Sequence, residues 1–583
     1  MSDQRERVTR RQVLVGTGAM AAALGTITLS SCKARTTGKW DQEADIVVVG
    51  SGVGACTAAV VAHESGDSAL VVEKAATVGG TSAKSAGVLW IPNNFTLKER
   101  GIEDEKADCV KYMARFTYPE QYNATAPNLG LSSFQLALLE AFYDNASDAV
   151  DALRNYGALN LAEWRMYALD RPATDYLDHV SENKVPKGRA LGPVTGDGDI
   201  GLGVHMMEQL QAALEKRAIP VFLGHRVVRL IVNDAGRAVG IEAEIDGEVV
   251  AFRARKAAIF ATGGYAHNSE FLAQYQRTRL FGSCAIPMAT GDFINIAGAA
   301  GARLGNMGGA WRTQIVLEEA LLNPVLAAGV FYPPGDSMVQ VNKYGVRAVN
   351  EHSHYNDRTE AHGIYDPSQA EYPNQLLFMI YDQRTAEAFA GAYPLPEELS
   401  GVPHVLEGAS LEELVRQIQN RLTEIAPQTG GLSLAPAFAD NLKATLGRFN
   451  RFARAGTDEE FRRGAAGYDN EWHAVFSPMR ADSDWPVNDN PSVTMYPFSD
   501  SGPYYAIILA AGALDTNGGP VIDASARVLD TEDQPIPGLY GAGNCIASPS
   551  REAYYGPGHT LAMSMTFGYI AANAAHREAR NRA

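Results

Sequence analysis

An α/β fold is expected, with one nucleotide-binding domain interrupted by an inserted α+β domain. Three observations lead there. Residues 44–49 form a β-branched run that meets the glycine turn Gly50-Ser51-Gly52-Val53-Gly54-Ala55. A helix-like stretch and a second strand follow, closing on Glu73. Residues 256–264 and 538–544 are two further strands that end in glycines. Pieces of one sheet so far apart in the chain require the residues between them to fold as an insertion.

Composition sets the outer bounds. The chain has 583 residues, 46% apolar and 20% charged, with a mean hydropathy of −0.15. A large core is available, and disorder, collagen or a small disulfide scaffold are excluded for the whole chain. The formal net charge is −17. An acidic surface repels phosphate backbones, so no nucleic-acid partner is expected. Five cysteines without a CxxC or CxxCH pair argue against attached haem and against a thiolate zinc or iron–sulfur site.

Residues 1–40 read as an export signal. Arg10-Arg11 stands directly before Gln12-Val13-Leu14 and a short apolar run to Leu29, the pattern of a twin-arginine signal. Gly16, Gly18 and Gly25 interrupt that run, which makes it a poor permanent anchor. Leu29-Ser30-Ser31-Cys32 resembles a lipoprotein processing site. Two readings of Cys32 stay open: lipidation, which would tether the mature protein to a membrane, and an ordinary cysteine beyond a cleavage site. The expected location is the periplasm or cell envelope.

The strand, turn, helix, strand and acid of residues 44–73 have specific physical uses. Gly50, Gly52, Gly54 and Ala55 permit a tight turn and bring backbone N–H groups to a pyrophosphate at a helix N-terminus. Glu73 sits where an acid accepts hydrogen bonds from a ribose hydroxyl. Cys56, inside the helix, reads as a packing residue. The next segment, 79–87, is glycine- and hydroxyl-rich with no helical or strand period. Its Gly80, Thr81, Ser82, Ser85, Ala86 and Gly87 offer donors to a flavin and its phosphates. In the later strands, Ala261, Gly263 and Gly264, then Gly543 and Asn544, stand where a backbone passes close to a cofactor. Residues 227–232 and 240–250 read as strands of an accessory sheet.

This ordered set, with Thr290-Gly291-Asp292, Val341-Asn342, Arg347 and Asn350-Glu351, resembles the fumarate reductase / 3-ketosteroid dehydrogenase flavoprotein superfamily over nearly the whole mature chain. The resemblance implies FAD, with Asp292 among its contacts, and chemistry at a C–C bond next to a carbonyl. No histidine occupies the Thr81 region, where related flavoproteins attach FAD covalently, so non-covalent FAD is expected. The fumarate reductase branch carries a proton-donating arginine in an Asn-Arg-x-Gly-Gly element. Here Tyr554 stands at about that place, and residues 553–560 resemble the YxGPG element of 3-ketosteroid Δ1-dehydrogenases. In that branch a tyrosine hydroxyl and the last glycine's N–H bind the ketone oxygen, which maps to Tyr554 and Gly558. The base is a tyrosine shortly after a VNxxGxRxxNE segment, which maps to Tyr355. A third tyrosine assists, and Tyr176 is its match. Ala86 replaces a glycine common in the family's loop.

The chemistry needs these groups. Removing two hydrogens beside a ketone means taking a weakly acidic α-proton and a β-hydride. Preorganised donors stabilise the developing enolate. Tyrosine, with an ordinary pKa of about 10, needs help to act as a base, from a partner hydroxyl or a cation such as Arg358. The hydride goes to flavin N5. The expected function is an FAD-dependent dehydrogenase placing a C=C bond next to a ring ketone, with a small-molecule ketone substrate and an external electron acceptor. Smaller cyclic ketones, another ring position, an enoate reductase using Arg551, and an electron-transfer flavoprotein stay open as alternatives. His352 and His354 alternate as if on one strand face near Asp357, but no third ligand follows and no metal is expected. His559 would tune the flavin or cap Gly558. The expected divisions are 41–312 and 506–583 for the FAD-binding domain and 313–505 for the catalytic domain.

Overall fold

The computed structural model describes residues 40–166, 169–398 and 401–581. Arg10, Arg11 and Cys32 lie outside the described residues. The glycine turns follow strands of one sheet, which has eight strands among the described residues. Gln42–Val49 pairs in parallel with Ala69–Val72 on one side and Glu248–Phe260 on the other. Glu248–Phe260 pairs in parallel with Pro535–Gly541, and Ala69–Val72 with Val221–Phe222. The register sets Val49 level with both Val72 and Phe260, and Phe260 level with Gly541. The chain therefore leaves the sheet at Gly50, Glu73, Ala261 and Ala542 side by side, at the carboxyl ends where α/β sheets hold ligands.

The β-branched residues predicted to build this sheet do so: Ile46, Val47 and Val48 are fully buried. The accessory strands differ from expectation. Residues 240–250 are divided by a turn at Asp246 and Gly247, both with positive φ. Ala238–Ile245 then pairs antiparallel with Arg226–Val232 and with the first half of Glu248–Phe260. They extend the main sheet, because that strand is long enough to serve two partners in turn.

The helix Val53–Glu64 packs on the C-terminal helix His559–His576 at glycine contacts. A Cβ on Gly568 would lie 2.3 Å from the Gly54 carbonyl oxygen, and one on Gly54 would lie 2.5 Å from Ser564 Oγ. Added methyls there would force the helices apart.

A second, antiparallel sheet has five strands, with Tyr504–Thr516 pairing Ala310–Val316, Leu376–Asp382 and Val405–Gly408, and Met338–Val341 outside Leu376–Asp382. Strand alternation gives it two cores. Leu376, Phe378 and Ile380 join Leu414 and Ile418 of Leu411–Glu424 and Leu442 of Phe438–Ala455. Leu377, Met379 and Tyr381 pack on the opposite face with Ile507 and Leu509. The expected boundaries at 312/313 and 505/506 fall inside two strands of this sheet. From Asp41 onward the chain is one compact unit.

Candidate active site

The carboxyl ends of the main sheet open into a cavity of about 330 Å³ that continues to the second sheet. Its first half is built from glycines and hydroxyls. Gly50 has a φ of +100°, and a Cβ there would lie 2.4 Å from Ala261 O, so two strand ends leave together only because this residue is glycine. Gly52 caps the helix Val53–Glu64. Ser82 Oγ accepts from the Val53 N–H at 3.1 Å, fastening the next loop to the helix start. Ser51 Oγ donates to Glu73 at 2.8 Å and accepts from the Gly79 N–H at 3.1 Å.

Gly80, Thr81, Ser82, Ser85, Ala86 and Gly87 all line this half. Gly80–Lys84 is a short helix and not the periodless loop expected. Ala261, Gly263, Gly543 and Asn544 close the opposite wall. Backbone turns with positive φ at Gly50, Gly263 and Gly543, hydroxyl donors and the Glu73 carboxylate make a cradle that fits FAD.

Four expected cofactor contacts stand behind that wall. Gly54 faces Ser564 of the C-terminal helix, and Ala55 is fully buried in the core. Gly264 donates its N–H to Asp515 at 2.8 Å and packs on Thr516. Asp292 accepts from Lys74 Nζ at 2.8 Å, and Lys74 itself lines the cavity. Burial works against the Asp292 carboxylate, but Lys74 and Arg226 hold its pKa below the usual range. Its carboxylate holds Lys74 in place at the cavity wall. Cys56 is fully buried, with its thiol pushed up to about 12 by burial, as a packing residue requires.

The second half of the cavity brings the three tyrosines together. The Tyr176 and Tyr355 hydroxyls are 3.0 Å apart. Ring centroids are 5.6 Å apart for Tyr176 and Tyr355, 5.5 Å for Tyr355 and Tyr554, and 5.3 Å for Tyr176 and Tyr554. All three are buried and line the cavity with Gly558. Gly558 has a φ of +85°, and a Cβ there would lie 2.1 Å from Val88 O. Among the described residues nothing accepts a hydrogen bond from its N–H.

Each tyrosine is held by structure around it. The VNxxGxRxxNE segment works as a brace. Arg347 donates to Glu351 at 2.8 and 2.9 Å and to Asp458 at 2.8 and 3.0 Å, all buried. That fixes the turn entering the helix Tyr355–Glu360. Asn356 of this helix accepts from Arg312 N–H and donates to Glu552 O, both at 2.9 Å. Tyr176 follows Asp175, which takes hydrogen bonds from Trp90 at 2.8 Å and Arg189 at 2.6 Å. Arg189 also grips Asp104, and the whole cluster is buried. The Tyr176 N–H donates to Tyr555 O, tying this segment to the one carrying Tyr554.

Burial pushes the phenols of Tyr176 and Tyr355 well above the ordinary tyrosine value, and Tyr554 upward as well. Arg358 does not relieve Tyr355 in the way the sequence suggested. Its five N–H donors go to Gln314 and to the carbonyls of Glu351, Ser353, Val330 and Phe331. Arg551 pairs with Glu120 at 2.6 Å on the surface and does not line the cavity. His559 lies behind the wall, hydrogen-bonded to Ser550 at 2.8 Å and packed against Tyr555. His352 and His354 diverge: His352 accepts from Arg463 at 3.0 Å, while His354 stacks on Tyr176.

Other lining residues were not among those expected from the sequence. Trp164, Trp472, Phe331, Phe476 and Leu514 give the tyrosine end apolar walls. Tyr468, Trp472 and Phe476 recur every fourth residue on the helix Gly467–Phe476 and stack in series, at 5.0 and 4.8 Å. That spacing is visible in the sequence, but its direction is not. Trp311 donates to Asn544 at 3.0 Å and stands 5.5 Å from the Tyr554 ring.

Residues 45–561 match the family model described as FAD binding domain. The chain is 31% identical over 563 residues to 4-oxocyclohexanecarboxylate 2-dehydrogenase of Sinomonas cyclohexanicum, covering 90% of this chain and 92% of that one. It is 31% identical over 585 residues to 3-oxosteroid 1-dehydrogenase of Mycolicibacterium smegmatis, covering 91% and 97%. Among solved structures, 3-ketosteroid Δ1-dehydrogenase from Sterolibacterium denitrificans, in complex with 1,4-androstadiene-3,17-dione, superposes with a TM-score of 0.75 at 27% identity, covering 92% of this chain and 99% of that one.

Proposed function

The chain belongs to the FAD binding domain family, and we propose that within it this protein is a dehydrogenase that introduces a C=C bond next to a ring ketone, with neutral 3-ketosteroids as its substrate class. One observation carries the reading. Tyr176, Tyr355 and Tyr554 meet beside the unengaged Gly558 N–H, at one end of a cavity whose other end fits FAD.

When bound, FAD supplies the acceptor for a hydride. The chain's own residues do the rest. The Tyr554 hydroxyl and Gly558 N–H donate to the ketone oxygen and stabilise the enolate as it forms. Tyr355 takes the α-proton. Tyr176, 3.0 Å away, donates a hydrogen bond to the phenolate form of Tyr355 that accepts this proton. Trp472, Phe476, Trp164 and Phe331 exclude water and offer flat apolar faces to fused rings. The electrons then pass to an external acceptor.

Two features favour a neutral ketone over a carboxylate-bearing one. Among the described residues, the charged side chains lining the cavity are Glu73, Lys74, Lys84 and Asp515. Lys74 is paired with Asp292, and Lys84 donates to Leu326 O at 2.5 Å. A substrate carboxylate set among the aromatic walls of Trp164, Trp472, Phe331 and Phe476 would be costly to bury. Arg551, the proton donor an enoate reductase would need, is turned to the surface.

The twin-arginine-like start supports export of the folded holo-protein, and Cys32 supports a lipid tether. Cell fractionation of the full chain and of Cys32→Ser tests this: wash-resistant envelope association that the variant loses is expected, and a cytoplasmic wild type contradicts it. The functional test is anaerobic bleaching of the yellow holo-protein by a panel of neutral 3-ketosteroids, cyclohexanones and 4-oxocyclohexanecarboxylate. Rapid bleaching by a saturated neutral steroid ketone is expected. No bleaching by any ketone overturns the reading.

A further inference from the structure

Asp515 is a buried carboxylate in the cavity wall that the proposed reaction does not use. It is the penultimate residue of the strand Tyr504–Thr516, opposite Trp311 in the register. It is 1% exposed and lines the cavity. Its Oδ2 accepts from the Gly264 N–H at 2.8 Å and from Asn544 Nδ2 at 3.2 Å, and its Oδ1 accepts from the Thr516 N–H at 2.9 Å. All these donors are neutral amides. No lysine, arginine or histidine pairs with it among the described residues. Arg312, next to its register partner Trp311, is spent on Glu360. Burial raises its pKa to about 6 even with these donors in place.

Its position along the cavity matters. Asn544 links it to Trp311, whose ring is in edge contact with Tyr554. Leu514, the preceding residue, lines the apolar end with the tyrosines. Asp515 therefore stands where the cofactor half of the cavity meets the tyrosine end. An unpaired negative charge in a low-dielectric wall opposes the addition of electrons to whatever is seated against it.

We infer that Asp515 is a tuning residue whose negative charge, held by neutral amides in the cavity wall, lowers the midpoint potential of the bound FAD. The inference rests on FAD binding alone and not on the ketone reading. A lowered potential speeds the handing-on of electrons to an external acceptor at the expense of driving force for substrate oxidation.

The test is the midpoint potential of the FAD-loaded protein, equilibrated with reference dyes and without ketone. Asp515→Asn keeps the shape and the acceptor for Gly264 but removes the charge. It is expected to shift the two-electron equilibrium toward reduced FAD by at least tenfold, about 30 mV, with Asp515→Glu staying within threefold of wild type. An unchanged potential in Asp515→Asn overturns the inference. Asp515→Ser covers the case in which the asparagine does not fold. If every neutral variant folds but releases its FAD while Asp515→Glu keeps it, the inference is overturned in favour of a role in holding the cofactor. Bleaching by ketones plays no part in this readout, so failure of the substrate reading leaves it intact.

Discussion

The hydroxyls of Tyr176 and Tyr355 stand 3.0 Å apart although 179 positions separate them in the chain. The two rings meet edge to face, and Tyr554 completes the group by stacking on Tyr176. The three tyrosines proposed as base, partner and donor to the substrate oxygen are thereby collected from three distant segments. Each segment is pinned by its own buried polar contacts, which makes the contribution of each separable by mutation.

Tyr176→Phe removes the partner hydroxyl and keeps the ring. A lost hydrogen bond to a charged group costs about 1.5–3 kcal/mol. The rate of FAD reduction by ketone is therefore expected to fall about 10- to 150-fold, with little change in substrate affinity. Rapid-mixing absorbance at varied ketone concentration separates the two effects.

The pH dependence follows from the direction of the Tyr355 shift. Burial places its pKa well above the ordinary tyrosine value. The phenolate is the form that takes the α-proton, and its fraction grows with pH up to the pKa. The rate of FAD reduction is expected to be still rising at about pH 10. Rates measured in stepped buffers check this, and a plateau near neutrality would assign the proton to another group.

Gly50→Ala tests the cofactor cradle. The added methyl would sit 2.4 Å from Ala261 O at a backbone φ of +100°. The strain and the clash are both at the first turn, so the variant is expected to purify colourless or with FAD that gel filtration removes. Absorbance per protein after desalting measures it.

The buried cluster behind Tyr176 carries a stability prediction. Arg189 is the cation shared by Asp104 and Asp175. Arg189→Met leaves buried carboxylates without a partner, at a cost of about 3–5 kcal/mol. Chemical unfolding of FAD-loaded wild type and variant gives the difference, and the variant's tyrosine group should loosen with it.

Much of this architecture was legible in local pattern. The glycine turn, the acid at Glu73 and the two later strand ends are short, contiguous signals whose physics is local, and they converge as expected. Tyr554 and Tyr355 were also legible, because each sits beside a distinctive segment. Other features depend on what meets across the fold. Asp292 carries a family motif, yet its carboxylate is spent on Lys74. Arg358 follows Tyr355 by three residues, but its guanidinium turns to backbone carbonyls. Asp515 is one acid in a long strand, and only the approach of Gly264 and Asn544 from another sheet makes it a cavity group. The strand at 240–250 hid a turn, because Asp246-Gly247 lies inside an otherwise continuous β pattern.

The central claim is that a phenol and a peptide N–H polarise the ketone. Tyr554→Phe, loaded with FAD and mixed anaerobically with a neutral 3-ketosteroid, tests it most directly. Removing one such donor typically costs about 10²–10³ in rate. The account predicts that the variant keeps its FAD spectrum and is reduced at least a hundredfold more slowly than wild type, at about that margin. Reduction at the wild-type rate would contradict it.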